Sequence, residues 1–121
     1  MKPVPPKSLV VRSPWVELLM TGEKTWELRT KPTNVRGAVG LIRAGSGLIV
    51  GEAKLVDVVG PLDEGSLRSA KNLHRADDIE AIVRNRWLYG WVFEGARCYV
   101  EAVRYRHPPG AVVWVRTEPS P

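Results

Sequence analysis

Three ionisable side chains with complementary charges lie within six residues of one another: Lys24, Glu27 and Arg29. Glu27 and Arg29 are two residues apart, so their side chains lie on the same face if this segment forms a β-strand. The turn before the strand can bring Lys24 to that face as well. Buried charges of this kind are unfavourable unless they pair with one another or line a wet cleft. Two cations and a carboxylate in one cleft have the chemistry to hold a phosphate group or to stabilise an oxyanion.

Two neighbouring charges act on the pKa of Lys24 in opposite directions. The like charge of Arg29 lowers it and the carboxylate of Glu27 raises it, so the sign of the net shift stays open. Thr25 adds a hydroxyl group to the face that carries Glu27 and Arg29. The alternative interpretation of Glu27 and Arg29 is a structural ion pair on a strand, with no ligand between them.

The sequence predicts a short helix directly before this segment. Residues 8–12 form a short apolar run with two β-branched residues, which is typical of a first strand. Ser13 is expected to be the N-cap and Pro14 the first helical residue. Gly22 is expected to end the helix as a left-handed C-cap. We therefore expect a helix over residues 14–21 between two strands.

The rest of the chain is dominated by strand signals. Residues 24–30 alternate between polar and apolar side chains, as a half-buried strand does, and Gly51 predicts a bend or bulge in a long strand. Residues 66–86 predict one or two modest helices. The further strands are predicted at residues 38–43, 48–59, 89–94, 96–106 and 111–116. Trp26 and Trp114 are expected in the core.

These elements predict an α+β fold: a small mixed β-barrel of about six strands, with a short helix after strand 1 and a helical insertion before the last strands. The 121 residues are expected to form a single domain over residues 8–117. The remaining residues, 1–7 and 118–121, are expected to be flexible ends.

The positive charge is concentrated at one end of the sequence. Residues 1–43 contain eight Lys or Arg and three Glu, a difference of +5, whereas the remainder contains ten basic and ten acidic residues. The whole net charge of +5 therefore lies in the first third. A local excess of this kind suits phosphate-bearing partners. A purely solubilising face is the alternative.

Several classes of function are excluded or disfavoured by what the sequence contains. The single cysteine, Cys98, excludes an internal disulfide framework and a cysteine-cluster metal site. His74 and His107 are expected on the surface, and neither a metal nor an organic cofactor is implied. The longest apolar runs are only a few residues, and residues 1–7 contain no apolar segment, so we expect a cytoplasmic protein without a membrane helix. The oligomeric state stays open, with a monomer favoured.

The octet Gly22-x-Lys24-x-x-Glu27-x-Arg29 resembles the signature of the ASCH domain family, whose fold is PUA-like. Further segments resemble family positions in matching order, so that the resemblance covers residues 8–116: residues 12–15, 36–37, 50–57, 89–92 and 108–114. It implies a β-barrel with a cleft that holds the Lys, Glu and Arg side chains, and RNA-related roles. One bacterial branch of the family deacylates N4-acetylcytidine nucleosides, and ribonuclease activity is described for another.

The catalytic residues of the amidohydrolase branch match this sequence only in part. Lys24 matches the catalytic lysine of that branch, whereas Glu27 stands where the branch has a catalytic threonine. Thr25 is two positions away from that threonine and does not simply replace it. The branch also uses a glutamate near the later helical insertion, and the acidic residues in that neighbourhood are Asp77, Asp78 and Glu80.

Two hypotheses of different classes follow. In the first, the protein binds RNA or a nucleotide, with phosphate contacts from Lys24, Arg29, Arg12 and Lys31 and a base stacked on an exposed Trp15 or Trp91. Thr25 and Glu27 complete this set. In the second, the protein is a small amidohydrolase that acts on an acylated cytidine, with Lys24 as general base or electrostatic stabiliser, Glu27 moving the proton and Arg29 holding the oxyanion. A ribonuclease is a variant of the second, although the sequence offers no His pair for acid/base cleavage.

Overall fold

The computed structural model describes residues 4–117, and its main feature is one six-stranded sheet that curls into a half-barrel. The strands are β1 (Lys7–Val11), β2 (Trp26–Arg29), β3 (Gly37–Arg43), β4 (Leu48–Val59), β5 (Tyr89–Arg104) and β6 (Trp114–Arg116). Their order in the sheet is β2-β5-β4-β3-β1-β6. The β1–β3 pair is parallel and the other pairs are antiparallel. The prediction of a small mixed barrel in an α+β fold is confirmed.

Four short helices accompany the sheet. They are α1 (Trp15–Thr21), α2 (Glu64–Ser69), α3 (Lys71–His74) and α4 (Ile79–Arg84). The last three form the predicted helical insertion, which is divided more finely than one or two helices. The carboxylates of Asp63 and Asp78 accept hydrogen bonds from the first turns of α2 and α4 and so fix where these two helices begin. None of the helices in the described part of the chain is long and apolar enough to cross a membrane.

The two ends of α1 differ in how well the sequence predicts them. Gly22 ends the helix in the left-handed conformation with φ 80° and donates its N–H to the Leu19 carbonyl, as predicted. The N-terminal prediction is wrong, because Pro14 is the N-cap residue and Ser13 makes no capping bond. The Ser13 hydroxyl instead donates to the Glu17 carboxylate at 3.0 Å. Glu17 lies one turn further on, so its charged oxygen is within reach of the hydroxyl.

The long strands bend where glycines are placed. The register of β4 shifts against both of its neighbours next to Gly51, which confirms the predicted bend. A Cβ atom at Gly51 would collide with the Arg97 carbonyl, so only glycine allows the two backbones to approach this closely. Residues 89–94 and 96–106 were predicted as two strands; residues 89–104 instead form the single strand β5, in which Gly95 lies with φ 62° at a shift of the register against β4.

The main core lies between the curled sheet and α1. It contains Leu9, Val16, Leu19, Leu41, Leu55 and Phe93, each nearly inaccessible to solvent. A smaller cluster of Leu67, Ile79 and Ile82 fixes the helical insertion onto Leu28 of β2. Trp26 and Trp114 were predicted to be core residues, and both are only half-buried.

The two edges of the sheet, β2 and β6, are joined by side chains. Within residues 4–117, no backbone ladder pairs these strands. Arg29 of β2 donates from Nη2 to the carbonyl of Val10 in β1 at 2.8 Å, next to β6. Trp91 of β5 stacks on Trp114 of β6 with ring centroids 5.7 Å apart and an interplanar angle of 12°. We call this junction the seam, and it is closed by the same segment that carries the ionisable octet.

The residues just before the predicted domain make contacts with its other end. Lys7 begins β1, and the carbonyls of Pro5 and Pro6 accept hydrogen bonds from Thr117. These bonds place residues 5 and 6 beside the end of β6. Residues 1–3 and 118–121, the other predicted ends, lie outside the described residues.

Candidate functional site

The Glu27 carboxylate lies between two cations. Oε2 accepts hydrogen bonds from Arg29 Nε at 3.2 Å and from Arg29 Nη2 at 2.9 Å. Oε1 lies 3.5 Å from Lys24 Nζ. The exposed fraction of Glu27 is 7%, so these contacts largely replace its hydration. The structure therefore brings together the three side chains that the alternation in β2 predicted to share a face.

Lys24 is almost completely buried, with an exposed fraction of 2%. Its ammonium group donates to the carbonyl of His74 at 2.7 Å and lies 5.1 Å from the ring centroid of Trp15. Burial lowers the pKa of Lys24, and the Glu27 carboxylate opposes that change. Lys24 was expected to contact phosphate in the cleft; in the structure its ammonium group binds the protein's own carbonyl and carboxylate.

Arg29 connects the buried pair to the surface. Its side chain is 19% exposed, and its guanidinium lies over the ring of Trp91 with 5.5 Å from Cζ to the ring centroid. Nε and Nη2 are occupied by Glu27 and Val10, whereas Nη1 has no acceptor among the described residues. Arg29 can thus close the seam and still offer two N–H groups to an anion.

His74 is a buried residue that sequence reasoning placed on the surface. It is fully inaccessible to solvent. Its Nδ1 accepts a hydrogen bond from the N–H of Ala76 at 3.0 Å, so Nε2 carries the proton and donates to the Leu67 carbonyl at 2.7 Å. Burial lowers the pKa of His74, and the nearby charges of Lys24 and Lys71 add to this effect. Its spacing of seven residues from buried Leu67 was the signal for one shared helical face.

The two tryptophans proposed to stack a base have different environments. Trp91 is 3% exposed, donates from Nε1 to the Lys31 carbonyl at 2.9 Å and is stacked on Trp114. The expectation that Trp91 is an exposed stacking surface is therefore wrong, because the seam covers it. Trp15 is half-buried, so part of its ring remains accessible.

Two exposed cations flank Arg29. Arg12 lies two residues after Val10, whose carbonyl Arg29 binds, and Lys31 lies two residues after Arg29 itself. Arg12 and Lys31 thus each lie two residues from a partner in the Arg29–Val10 hydrogen bond, and we call Arg12, Arg29 and Lys31 the basic edge. Half-buried Thr25 contributes backbone bonds, because its N–H donates to Leu73 and its carbonyl accepts from Phe93.

The later acidic residues do not complete this cluster. Asp77 pairs with Lys71 at 2.9 Å, and Asp78 caps α4. Glu80 is exposed on the first turn of α4. Within residues 4–117, no group of three or more His, Cys, Asp or Glu side chains is placed to hold a metal ion. The chemistry of the site is therefore a buried Lys–Glu pair beside a partly exposed arginine and two exposed cations.

Comparisons with known proteins agree with this architecture. The family model of the ASCH domain matches residues 9–109. No curated protein sequence matches the chain significantly. The crystal structure of ASCH from Zymomonas mobilis is similar with a TM-score of 0.69 at 13% identity, over 91% of this chain and 87% of that one. The crystal structure of a serine-to-alanine mutant of ZmASCH from the same organism is similar with a TM-score of 0.68 at 15% identity, over 95% of this chain and 92% of that one. At such identities, these structures show a common fold.

Replacing the central carboxylate should destabilise the fold. In Glu27→Gln, Lys24 and Arg29 keep their charges and lose the anion between them, so we expect the free energy of unfolding to fall by about 3 kcal/mol. Urea denaturation measures this change. Glu23→Gln, at an exposed position in the same turn, is the matched control. Adding Lys24→Met to Glu27→Gln should recover part of the loss, and a Glu27→Gln protein as stable as the wild type would contradict the argument.

The buried histidine should make the fold sensitive to acid. Because the folded state lowers the pKa of His74 below its usual value near 6.5, the unfolded chain binds the proton more readily. The stabilisation is complete above pH 6.5 and is lost as the pH falls towards 5. Urea denaturation between pH 7 and 5 should show a smaller pH dependence for His74→Gln than for the wild type. The control His107→Gln, at an exposed position, should behave as the wild type; equal slopes for all three proteins would refute the assignment.

Proposed function

The chain belongs to the ASCH domain family, and on that basis we propose that it binds RNA or a nucleotide through the basic edge beside the Lys24–Glu27–Arg29 network. RNA binding has been proposed for this family, whose fold is PUA-like. The observation that carries the proposal is Arg29, which is fixed by Glu27 and Val10 and keeps Nη1 for a further acceptor. A guanidinium that is already oriented loses little conformational entropy when it binds phosphate.

The distribution of charge supports a phosphate ligand. Within the N-terminal third, Glu17 is paired with Arg43 at 2.8 Å, and Glu27 is shared by Lys24 and Arg29. These pairs use two of the three acidic residues of the region, and the exposed side chains of Arg12 and Lys31 take no part in them. In the proposed complex, Arg12, Arg29 and Lys31 contact phosphates, and Lys24 and Glu27 hold Arg29 in place.

Trp15 supplies the proposed contact with a base. Its ring is half-buried beside the Lys24 ammonium, so its orientation is fixed by packing and by a cation–π contact. Stacking on an aromatic ring tolerates any base, because every base has a π face. The proposal therefore specifies a single-stranded ligand, whose bases are accessible, and no particular sequence.

Titration of a mixed-sequence single-stranded RNA at two salt concentrations tests the proposal. We expect Arg12→Gln combined with Lys31→Gln to weaken binding about tenfold. The slope of log K against log salt should decrease by about 1.4, because each lost phosphate contact on a single strand removes about 0.7.

The control for this titration is Arg104→Gln combined with Arg106→Gln, which removes the same charge from exposed positions at the end of β5 and just beyond it. If both double variants lose the same RNA affinity, the effect is explained by net charge alone. That result would contradict a specific role of the basic edge. RNA and nucleoside monophosphates that both fail to bind the wild type at low salt would overturn the function.

A second candidate function rests on the environment of Lys24. A buried lysine with a lowered pKa next to a carboxylate is the arrangement that a general base requires. In a deacylation of an N4-acetylcytidine-type nucleoside, Lys24 would take a proton from water as the oxygen bonds to the acyl carbon. The bond from that carbon to N4 then breaks, and the proton passes to the leaving amine. Nη1 of Arg29 would stabilise the oxyanion.

A chromatographic assay with N4-acetylcytidine tests this second function. If the protein is a deacylase, the wild type converts the compound to cytidine, and Lys24→Ala loses at least 100-fold in rate, about the contribution of one positioned base. Lys31→Ala removes an exposed lysine and is the control. The Lys24→Ala protein keeps the Glu27–Arg29 pair, so thermal unfolding should show that it folds. Conversion at the wild-type rate by Lys24→Ala would exclude this mechanism.

A further inference from the structure

A second group of basic side chains surrounds a cavity on the other side of Lys24 from the seam. The cavity has a volume of about 540 Å³ and lies between α1 and the end of α3. Its lining combines one apolar residue with four polar or charged ones: Leu18, Lys71, Asn72, Arg75 and Asp77. Neither the octet nor the basic edge includes any of these residues.

The cavity shares its wall with the Lys24 environment. The Leu18 carbonyl accepts a hydrogen bond from the backbone N–H of Lys24 at 3.0 Å. The residue before Arg75 is His74, whose carbonyl accepts from Lys24 Nζ at 2.7 Å. Trp15 lies one helical turn before Leu18 on α1, with its ring beside the same ammonium group. A ligand that contacts Trp15 is therefore adjacent to the cavity.

Arg75 occupies a backbone conformation that arginine does not favour. It has φ 64° at the C-terminal cap of α3, where its N–H donates to the Lys71 carbonyl at 2.7 Å. Glycine would adopt this conformation without strain. The arginine therefore contributes nothing to the cap that glycine would not, and its guanidinium group instead lines the cavity.

The cavity already contains one anionic group of the protein. The Asp77 carboxylate pairs with Lys71 at 2.9 Å, and both Lys71 and Arg75 lower the pKa of Asp77. Lys71 and Asp77 are 57% and 88% exposed, so this pair is solvated and its exchange for another anion is inexpensive. The position next to Lys71 and Arg75 is thus one where an anion is stable and can be replaced.

We propose that this cavity takes a phosphate group of the RNA or nucleotide, with Lys71 and Arg75 as its ligands and Asp77 as an internal competitor. The inference rests on the proposed function, because it assigns a phosphate subsite to that ligand. Asn72 supplies an amide that can donate to the same phosphate. The bound strand then passes from the basic edge, along Trp15, to the cavity.

The size of the Asp77 effect, compared with a charge-matched control elsewhere on the surface, separates this proposal from a general electrostatic one. In single-stranded RNA titrations, Asp77→Asn should tighten binding about threefold, because it removes the competing anion. Arg75→Gln and Lys71→Gln should each weaken it about tenfold, with a salt slope smaller by about 0.7.

The matched controls come from the exposed ion pair of α2, in which Arg68 donates to Glu64 at 3.2 Å. Glu64→Gln and Arg68→Gln change the net charge by the same amounts as Asp77→Asn and Arg75→Gln, and they should leave RNA affinity within twofold of wild type. Arg75→Gly separates lost binding from lost stability. It should raise the midpoint of thermal unfolding and still weaken RNA binding about tenfold.

Each outcome of these titrations decides between the two proposals. Tighter binding by Asp77→Asn, together with weaker binding by Arg75→Gln, Arg75→Gly and Lys71→Gln, supports the phosphate subsite. If RNA binds but the Asp77 and Arg75 variants behave as their α2 controls, the subsite is refuted and the proposed function stands. If neither RNA nor nucleoside monophosphates bind the wild type at low salt, both proposals are overturned.

Discussion

The buried carboxylate of Glu27 is the constraint on which the rest of the structure depends. Lys24 and Arg29 lie on either side of it, and burying any one of the three charges alone would be strongly unfavourable. Each cation also binds a carbonyl from a distant part of the chain, His74 in the helical insertion and Val10 in β1. One carboxylate therefore fixes the insertion, the edge strand β2 and strand β1 relative to one another.

This arrangement divides the octet between folding and recognition. Lys24 and Glu27 are almost inaccessible and have their polar atoms committed to the protein. Arg29 serves both purposes, because it closes the seam with Nη2 and keeps Nη1 free of described partners. The side chains of Arg12 and Lys31 are exposed, and Lys31 contributes to the seam through its backbone carbonyl, which accepts a hydrogen bond from Trp91. The alternative of a structural ion pair is thus correct for Glu27, and it does not exclude a binding role for Arg29.

Local sequence patterns correctly predicted those structural features that depend only on residues close together in the sequence. The alternation in β2 put Glu27 and Arg29 on one face because a strand has a period of two, and Gly22 ended α1 because only its backbone was required. The burial of Trp91 depends on Trp114, a partner far along the chain that no periodicity in β5 records. The ring of His74 is held by the Leu67 carbonyl and the Ala76 N–H, and its spacing of seven residues from Leu67 was a signal that sequence reasoning did not use.

The residue at position 27 affects which of the two proposed functions, binding or catalysis, the site supports better. The amidohydrolase branch that the octet resembles has an uncharged threonine there. Without a carboxylate at this position, desolvation would lower the pKa of a buried lysine with less opposition and would favour the neutral amine that a general base needs. Here the Glu27 carboxylate opposes that lowering and holds Arg29 as well. The glutamate that completes the network therefore makes Lys24 a weaker candidate for a base and fixes Arg29 more firmly, which supports the proposed binding role over the proposed deacylation.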